Sequence, residues 1–328
     1  MTVSDFTERE LIARITSHLP PPPAWMPIGI GDDAAVVEPE RNKLEVLSVD
    51  ALIEGVHFDR AFTPPAAIGH RALAVNLSDL AAMGAAPRLC LLSLALPASF
   101  PIADFDAMIG GLAALAARHQ IHVAGGNLTK SPGPLVIDIT VIGTAKRRQV
   151  LTRGGARAGD ELYVTGSLGA AAAGLGMLKA GGMAAGNDGN SCAARYLYPE
   201  PRLRMGLLVA RNRAASAGMD LSDGLADGVH QLAEVSGVGA IVDADALPIE
   251  PAAREWFSRH GGDVTTAVLT GGDDYELLIA VKPKRGRRLA AARRHGDVPL
   301  TRIGVCTEDM AIVLKSGGPL PSGYQHFR

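Results

Sequence analysis

The sequence predicts two domains of mixed helix and strand, of α/β or α+β class. Three observations carry that reading. The chain has 328 residues, and about 100–200 residues per domain is usual. Segments of period-two apolar alternation and segments of helical period follow one another through both halves. Aromatic residues make up only 4% of a chain that is 47% hydrophobic, so the cores are built from Ala, Val, Leu and Ile. The boundary is placed near residue 150, giving domains over 1–150 and 151–328.

The elements follow in order. Thr7-x-x-Glu10 forms a capping box ahead of Leu11, Ile12, Ile15 and Leu19 at helical spacing. The run Pro20 to Pro23 ends that helix. Strands are predicted over Ala34 to Glu38 and Leu44 to Asp50, with a turn at Glu40-Arg41-Asn42. A long helix over Ala66 to Met83 comes next, then a strand over Leu89 to Leu96. A helix over Asp104 to His119 and strands over Ile121 to Ala124 and Leu135 to Thr144 complete the first half. The connector Arg153-Gly154-Gly155-Ala156 opens a second series: a strand over Glu161 to Thr165, a helix over Leu168 to Ala180 and a small-residue loop over Gly181 to Ser191. Helices around Arg202 to Ala215 and Gly224 to Val235 precede strands at Ala240 to Val242, Tyr275 to Val281, Leu300 to Val305 and Ala311 to Leu314. Lys282 to Arg294 reads as the solvated face of a helix. Periodicity alone does not choose between parallel and antiparallel sheets.

Composition removes several function classes. A formal net charge of −2 and the lack of a basic stripe with interleaved aromatics argue against nucleic acid as the partner. The three cysteines, Cys90, Cys192 and Cys306, are far apart and form no CxxC pair. That pattern fits a reducing cytoplasm and does not fit zinc. The first residues lack the basic and apolar regions of a signal peptide, and no apolar run reaches the ~18–20 residues of a membrane span.

Chemistry gathers in short acidic loops. Gly29-Ile30-Gly31-Asp32-Asp33-Ala34 sets two carboxylates in a tight turn. It also matches GxGxxA, but Pro-rich chain rather than a strand precedes it, and carboxylates would repel a pyrophosphate. Ser48-Val49-Asp50 closes a predicted strand and leads to Glu54-Gly55-Val56-His57-Phe58, where a lone His57 is more often structural. Asn76 and Asp79 share one largely apolar face of the long helix, where an unpaired carboxylate is costly. Gly125-Gly126-Asn127-Leu128-Thr129-Lys130-Ser131 follows a strand but lacks the Gly before Lys of a phosphate-binding P-loop. Asp220-Leu221-Ser222-Asp223-Gly224 opens a helix whose N-terminus favours anions, with Ser222 or Asp223 available as its cap. Gly271-Gly272-Asp273-Asp274-Tyr275-Glu276 repeats the pattern of Gly-rich turn, acids, then strand. So many acids at element ends call for a hard cation, and Mg²⁺ bridging carboxylates and phosphate oxygens is the natural solution.

Read together, Gly31-Asp32-Asp33-Ala34, Asp50-x3-Glu54-Gly55-Val56-His57-Phe58, Asn76-Leu77-Ser78-Asp79 through Gly84, Gly125-Gly126-Asn127, Leu151-Thr152-Arg153, Asp220-x-Ser222-Asp223-Gly224, Gly272 to Leu277 and the terminal Gly323-Tyr324-x-His326-Phe327 resemble the thiamine-monophosphate kinases. These belong to the aminoimidazole-ribonucleotide-synthetase-like superfamily. The resemblance implies a two-domain fold of that superfamily and a homodimer joined through the N-terminal sheets. It implies ATP and thiamine monophosphate as substrates and Mg²⁺ as the metal. It further implies Asp33, Ser48, Asp50, Asp79, Asp220 and Asp223 as metal ligands, with the Val49 carbonyl and Asn127. Gly126, Asn127, Arg153 and Ser222 are the expected ATP contacts, and His57, Asp273 and Tyr324 lie on the thiamine-phosphate side. Asp50, Asp79 and Asp220 are the residues on which turnover is expected to depend most. Many relatives carry Asp where Asn127 stands and Glu where Asp273 stands. A superfamily synthetase that activates its substrate with ATP, and a non-catalytic binder of thiamine phosphates or Mg-nucleotide, are the alternatives.

Overall fold

The computed structural model describes residues 1–181, 192–260 and 262–323. The chain divides into two compact units, one over Met1–Leu80 and Ala86–Lys146, the other over Ala81–Ala85 and Arg147–Arg328.

In the first unit, α1 (Glu8–Ser17) starts at the capping box, where the Thr7 hydroxyl accepts from the Glu10 amide and the Glu10 carboxylate accepts from the Thr7 amide at 2.7 Å. β1 (Leu44–Ile53), α2 (Pro65–Ala82), β2 (Ala86–Pro97), α3 (Ile102–His119), β3 (His122–Ser131) and β4 (Val136–Ala145) follow. The strands form a mixed sheet in the order β1-β4-β2-β3, with β1–β4 and β4–β2 antiparallel and β2–β3 parallel. Helices α2 and α3 cross at backbone distance. A Cβ on Gly69 would stand 1.8 Å from the Met108 carbonyl oxygen, and one on Gly111 would stand 2.0 Å from that of Ala66. Leu80 of α2 reaches the sheet at Gly143, where a Cβ would lie 3.1 Å from its methyl groups.

The second unit contains β5 (Glu161–Thr165), α4 (Ala170–Lys179), α5 (Cys192–Leu197), α6 (Leu203–Asn212), β6 (Ala217–Asp220), α7 (Leu225–Ser236), β7 (Gly239–Val242), α8 (Pro251–Arg259), α9 (Val264–Thr270), β8 (Leu277–Val281), α10 (Gly286–His295), β9 (Leu300–Thr307) and β10 (Ile312–Leu314). Its six strands run β10-β7-β9-β5-β8-β6, antiparallel except for β10–β7. Both faces are covered. Along β8, Leu278 and Ala280 join the core that contains Leu225, Val229 and Leu232 of α7. Ile279 and Val281 join the core that contains Met205 and Val209 of α6 and Leu289 of α10. This is period-two alternation with two apolar sides, so β8 reads as a continuous apolar run.

Four expectations are corrected. Residues 34–38 form no strand; one isolated bridge, Ile28 to Val36, closes that hairpin instead. Gly125 to Ser131 is not a loop after a strand but the greater part of β3, because pairing with β2 outweighs the turn preference of Gly-Gly. The last acidic loop runs on to Glu276, and the strand starts only at Leu277, since Tyr275 has φ 49°. Neither Ser222 nor Asp223 caps α7, whose N-cap is Gly224 with φ 99°. The loop expected after Gly181 falls outside the described residues.

Candidate active site

In the first unit, α2 lies against β1 and organises the acidic residues there. Asn76 is fully buried; its Oδ1 accepts the Asp50 amide at 3.0 Å and its Nδ2 donates to the Ala72 carbonyl at 3.0 Å. One turn on, the half-buried Asp79 accepts a short hydrogen bond from the Ser48 hydroxyl. Ser48 and Asp50 alternate with Val49 along β1, so they share one face and Val49 takes the other. Ser48, Asp50, Asn76 and Asp79 are therefore one group. β1 continues past Asp50 to Ile53, which places that carboxylate inside the strand rather than at its end. Beyond it, the Ile53 amide donates to His57 Nδ1 at 3.1 Å. That bond makes Nδ1 the acceptor and leaves the proton of a neutral imidazole on Nε2.

Asp33 sits at the tip of the 28–36 hairpin, exposed, its amide donating to Asp32 Oδ1 at 2.8 Å. Gly126 and Asn127 lie on β3, at the opposite edge of the sheet from β1. At about 4.8 Å per strand spacing, three spacings separate them from β1 by roughly 14 Å. Register sets Asn127 beside Ser93, and Ser93 beside Asp138, whose partner on β1 is Ala51. Asp50 belongs to the next row, with Ile139, Leu92 and Gly126. Asn127 is thus not gathered with Ser48, Asp50 and Asp79 within the unit. Ser93, the polar neighbour of Asn127, and Asp138, one strand further along the same row, are polar residues that sequence reasoning missed; single polar residues inside otherwise apolar strands were the available signal.

In the second unit, two acidic loops are knitted into one. Asp220 ends β6, buried, opposite Leu277 of β8. The backbone pairing continues past the strand ends: Leu221 donates to the Glu276 carbonyl at 2.8 Å, Tyr275 to Leu221 at 3.0 Å and Asp273 to Ser222 at 2.7 Å. Gly272 is required here, since a Cβ would stand 2.4 Å from the Ser222 carbonyl oxygen. Asp220, Ser222, Asp223 and Asp273 are brought together by this ladder. The exposed Arg153 donates to Gln231 Oε1 at 2.7 Å, and Gln231 donates to Asp227, which ties Arg153 to the start of α7. Tyr324 lies outside the described residues. Its predecessor Gly323 packs on this site, where a Cβ would stand 2.8 Å from the Asp223 carbonyl oxygen.

Behind these loops lie two acids that sequence reasoning left without a role. Asp274 is buried, and burial pushes its carboxyl up to about 7 against the opposing hydrogen bonds from the Gly169 and Ala171 amides. Glu276 is fully buried between Arg202 and Arg195. The thiols are chemically quiet: burial pushes Cys90 and Cys306 up to about 12 and Cys192 up to about 11.

Among the described residues, no three His, Cys, Asp or Glu side chains group tightly enough to hold a metal alone. The donors at hand are oxygens of Asp, Ser and Asn, the set suited to a hard cation, and the Ser48–Asp79 contact shows two of them already converging. The residues fit Mg²⁺ with further oxygens from substrate phosphates.

Residues 31–145 match the family model of AIR synthase related protein, N-terminal domain, and residues 157–315 that of AIR synthase related protein, C-terminal domain. The chain is 37% identical over 307 residues to the thiamine-monophosphate kinase of Synechococcus elongatus, covering 90% of this chain and 91% of that protein. It is similar to the solved thiamine-monophosphate kinase of Stenotrophomonas maltophilia K279a, with a TM-score of 0.83, 36% identity and coverage of 98% and 99%. It is also similar to AaThiL complexed with AMPPCP and TMP, with a TM-score of 0.79, 30% identity and coverage of 100% and 99%.

Proposed function

The chain belongs to the AIR synthase related family and, within it, to the thiamine-monophosphate kinases, and from that premise we propose that it transfers the γ-phosphoryl group of ATP to thiamine monophosphate, forming thiamine diphosphate and ADP. The observation that carries this is similarity along nearly the whole chain to AaThiL, itself solved with AMPPCP and TMP. In this reading residues 1–150 bind ATP and Mg²⁺ and residues 151–328 form the C-terminal domain.

The acceptor phosphate is already largely anionic near neutral pH, with a second pKa of about 6, so it needs little help from a general base. The task left to the protein is to hold two polyanions in line. Gly126, Asn127, Arg153 and Ser222 contact ATP; His57, through Nε2–H, Asp273 and Tyr324 contact thiamine monophosphate. In the first unit Ser48, Asp50 and Asp79, with Asp33, the Val49 carbonyl and, apart on the far edge strand, Asn127, and in the second unit Asp220 and Asp223, would supply oxygens to Mg²⁺, which when bound would neutralise phosphate charge. Transfer is direct, with no phosphorylated protein intermediate. Incubation of the purified protein with ATP, Mg²⁺ and thiamine monophosphate should yield thiamine diphosphate. Its absence would sink the assignment, and a trapped phosphoprotein would sink direct transfer.

The same proposal includes a homodimer. The sheet face bearing Leu47, Val49 and Leu91 leaves those side chains 62%, 55% and 39% exposed, which supports burial against a second copy. Sedimentation equilibrium at the monomer mass would count against it. No helix of the described residues is long and apolar enough to cross a membrane, and action in the cytoplasm, with small-molecule partners and no nucleic acid, completes the proposal.

A further inference from the structure

The segment Asp273–Glu276 is strained and anchored in a way that substrate contact by Asp273 does not itself explain. Asp273 and Tyr275 have φ of 70° and 49°, in the left-handed region that side chains with a Cβ enter at a cost. Such strain persists only where the surroundings over-determine it. Here the intervening residues supply the constraint. Asp274 Oδ2 accepts the Gly169 amide at 2.6 Å and Oδ1 accepts the Ala171 amide at 3.1 Å. It thereby caps α4 from a distant loop, in place of Gly169, which has no side chain to do so. Glu276 accepts from Thr165 Oγ1 at 2.6 Å, Arg202 Nε at 2.7 Å and Arg195 Nη2 at 2.9 Å. Gly166, with φ 60°, leaves the room: a Cβ there would stand 2.1 Å from Glu276 Oε1. Two buried carboxylates thus grip alternate residues of the segment. The residues between them are tied to the neighbouring acidic loop, with Asp273 N on Ser222 and Tyr275 N on Leu221. The Tyr275 hydroxyl donates to Asp273 Oδ1 at 3.1 Å.

We propose that Asp274 and Glu276 are positioning residues of the kinase: they clamp the segment so that Asp273, left-handed and braced by the Tyr275 hydroxyl, presents its carboxylate to the cationic thiazolium end of thiamine monophosphate. This rests on the assignment of Asp273 to the substrate side. A carboxylate is repelled by the phosphate end and attracted by the ring, so Asp273 selects for the ring. At a pH above about 7, where Asp274 is ionised, Asp274→Asn keeps the shape but loses one acceptor, because an amide has one oxygen and its NH₂ would face an N–H.

The test is steady-state kinetics well below the melting temperature, with Thr7→Ala, which removes the cap of α1, as a control for stability alone. Asp274→Asn should raise KM for thiamine monophosphate about tenfold and leave KM for ATP within about twofold. In an Asp273→Ala background the same substitution should add less than about twofold, since it acts through the residue removed. An equal factor in both backgrounds overturns the proposal. Tyr275→Phe leaves both buried carboxylates in place and so tests the brace without threatening the fold. It should raise the same KM roughly three- to fivefold, and an unchanged value overturns the brace. A wild type that forms no thiamine diphosphate overturns the functional reading as well. That result is distinct from an active wild type whose variants keep their KM.

Discussion

Truncating Glu276 to alanine should cost the second unit a large part of its stability. The Glu276 side chain is 0% exposed, that of Arg202 8% and that of Arg195 23%. Glu276→Ala removes the hydrogen bonds from Thr165, Arg195 and Arg202 at once. It leaves the Arg202 guanidinium, whose pKa burial would lower but which this carboxylate chiefly holds above its ordinary value, charged and with Glu200 and Asp297 as its remaining acidic neighbours. Removing one partner of a buried ion pair costs about 3–5 kcal/mol, because the desolvated charge that remains is uncompensated. Arg195 is partly exposed and can turn to water, so Arg202 dominates the loss. For a unit of this size each kcal/mol shifts the melting temperature by about 2–4 °C, which predicts a drop of roughly 6–20 °C. Differential scanning calorimetry of wild type and variant measures it directly. Replacing both partners with apolar residues, Glu276→Leu with Arg202→Met, should recover more than half of the loss, since neither charge then needs solvation. A fall of less than about 2 °C in Glu276→Ala would refute the buried pair as a stabilising node.

Three further outcomes are expected. Asp79→Asn should lower kcat more than about 100-fold while shifting stability by only about 1 kcal/mol, since it keeps an acceptor for Ser48; equal losses in turnover and melting would count against a functional role. Gly126→Ala should destabilise the first unit by about 1–3 kcal/mol or more, because its Cβ would lie 1.8 Å from the Leu92 carbonyl oxygen and force β3 from β2; thermal melting reads this out. Burial raises the Asp274 carboxyl from an ordinary 3.8 to about 7, so the folded chain holds a proton that the unfolded chain has released. The contribution of this group to stability is full below about pH 4 and is lost as pH rises through about 7, so Asp274→Asn should flatten the fall in melting temperature over that window; an unchanged slope speaks against the shift.

Elements with strong local signals were legible. The Thr7–Glu10 capping box and the apolar periods of α2, α3 and α7 identified those helices within a residue or two. Short strands with β-branched runs, β5, β7 and β10, were read to within a residue, but other short elements were not legible. β6 has four residues, all buried, in Ala-Gly-Met-Asp, with no alternation to read. α9 spans seven residues and depends on the Asp263 side chain accepting from Thr266 for its start. The start of β3 was read, but its continuation past Ala124 was hidden by Gly125-Gly126, a turn signal that pairing with β2 overrides.

The chain order carries the chemistry of the site. Which residues bring oxygens, which glycines admit close backbone, and which family they spell are properties of residue identity and spacing. The grouping is another matter. Asp50 and Asp79 meet through Ser48 and Asn76 because α2 happens to lie on β1, whereas Asn127 stands on the far edge strand. Within Asp273-Asp274-Tyr275-Glu276, three acids look alike in one dimension. Asp274 and Glu276 turn inward because the amides of Gly169 and Ala171 and the guanidiniums of Arg195 and Arg202 wait there, about 70–110 residues away along the chain. Burial is set by partners that only long-range pairing brings near, so it cannot be read from the acids themselves.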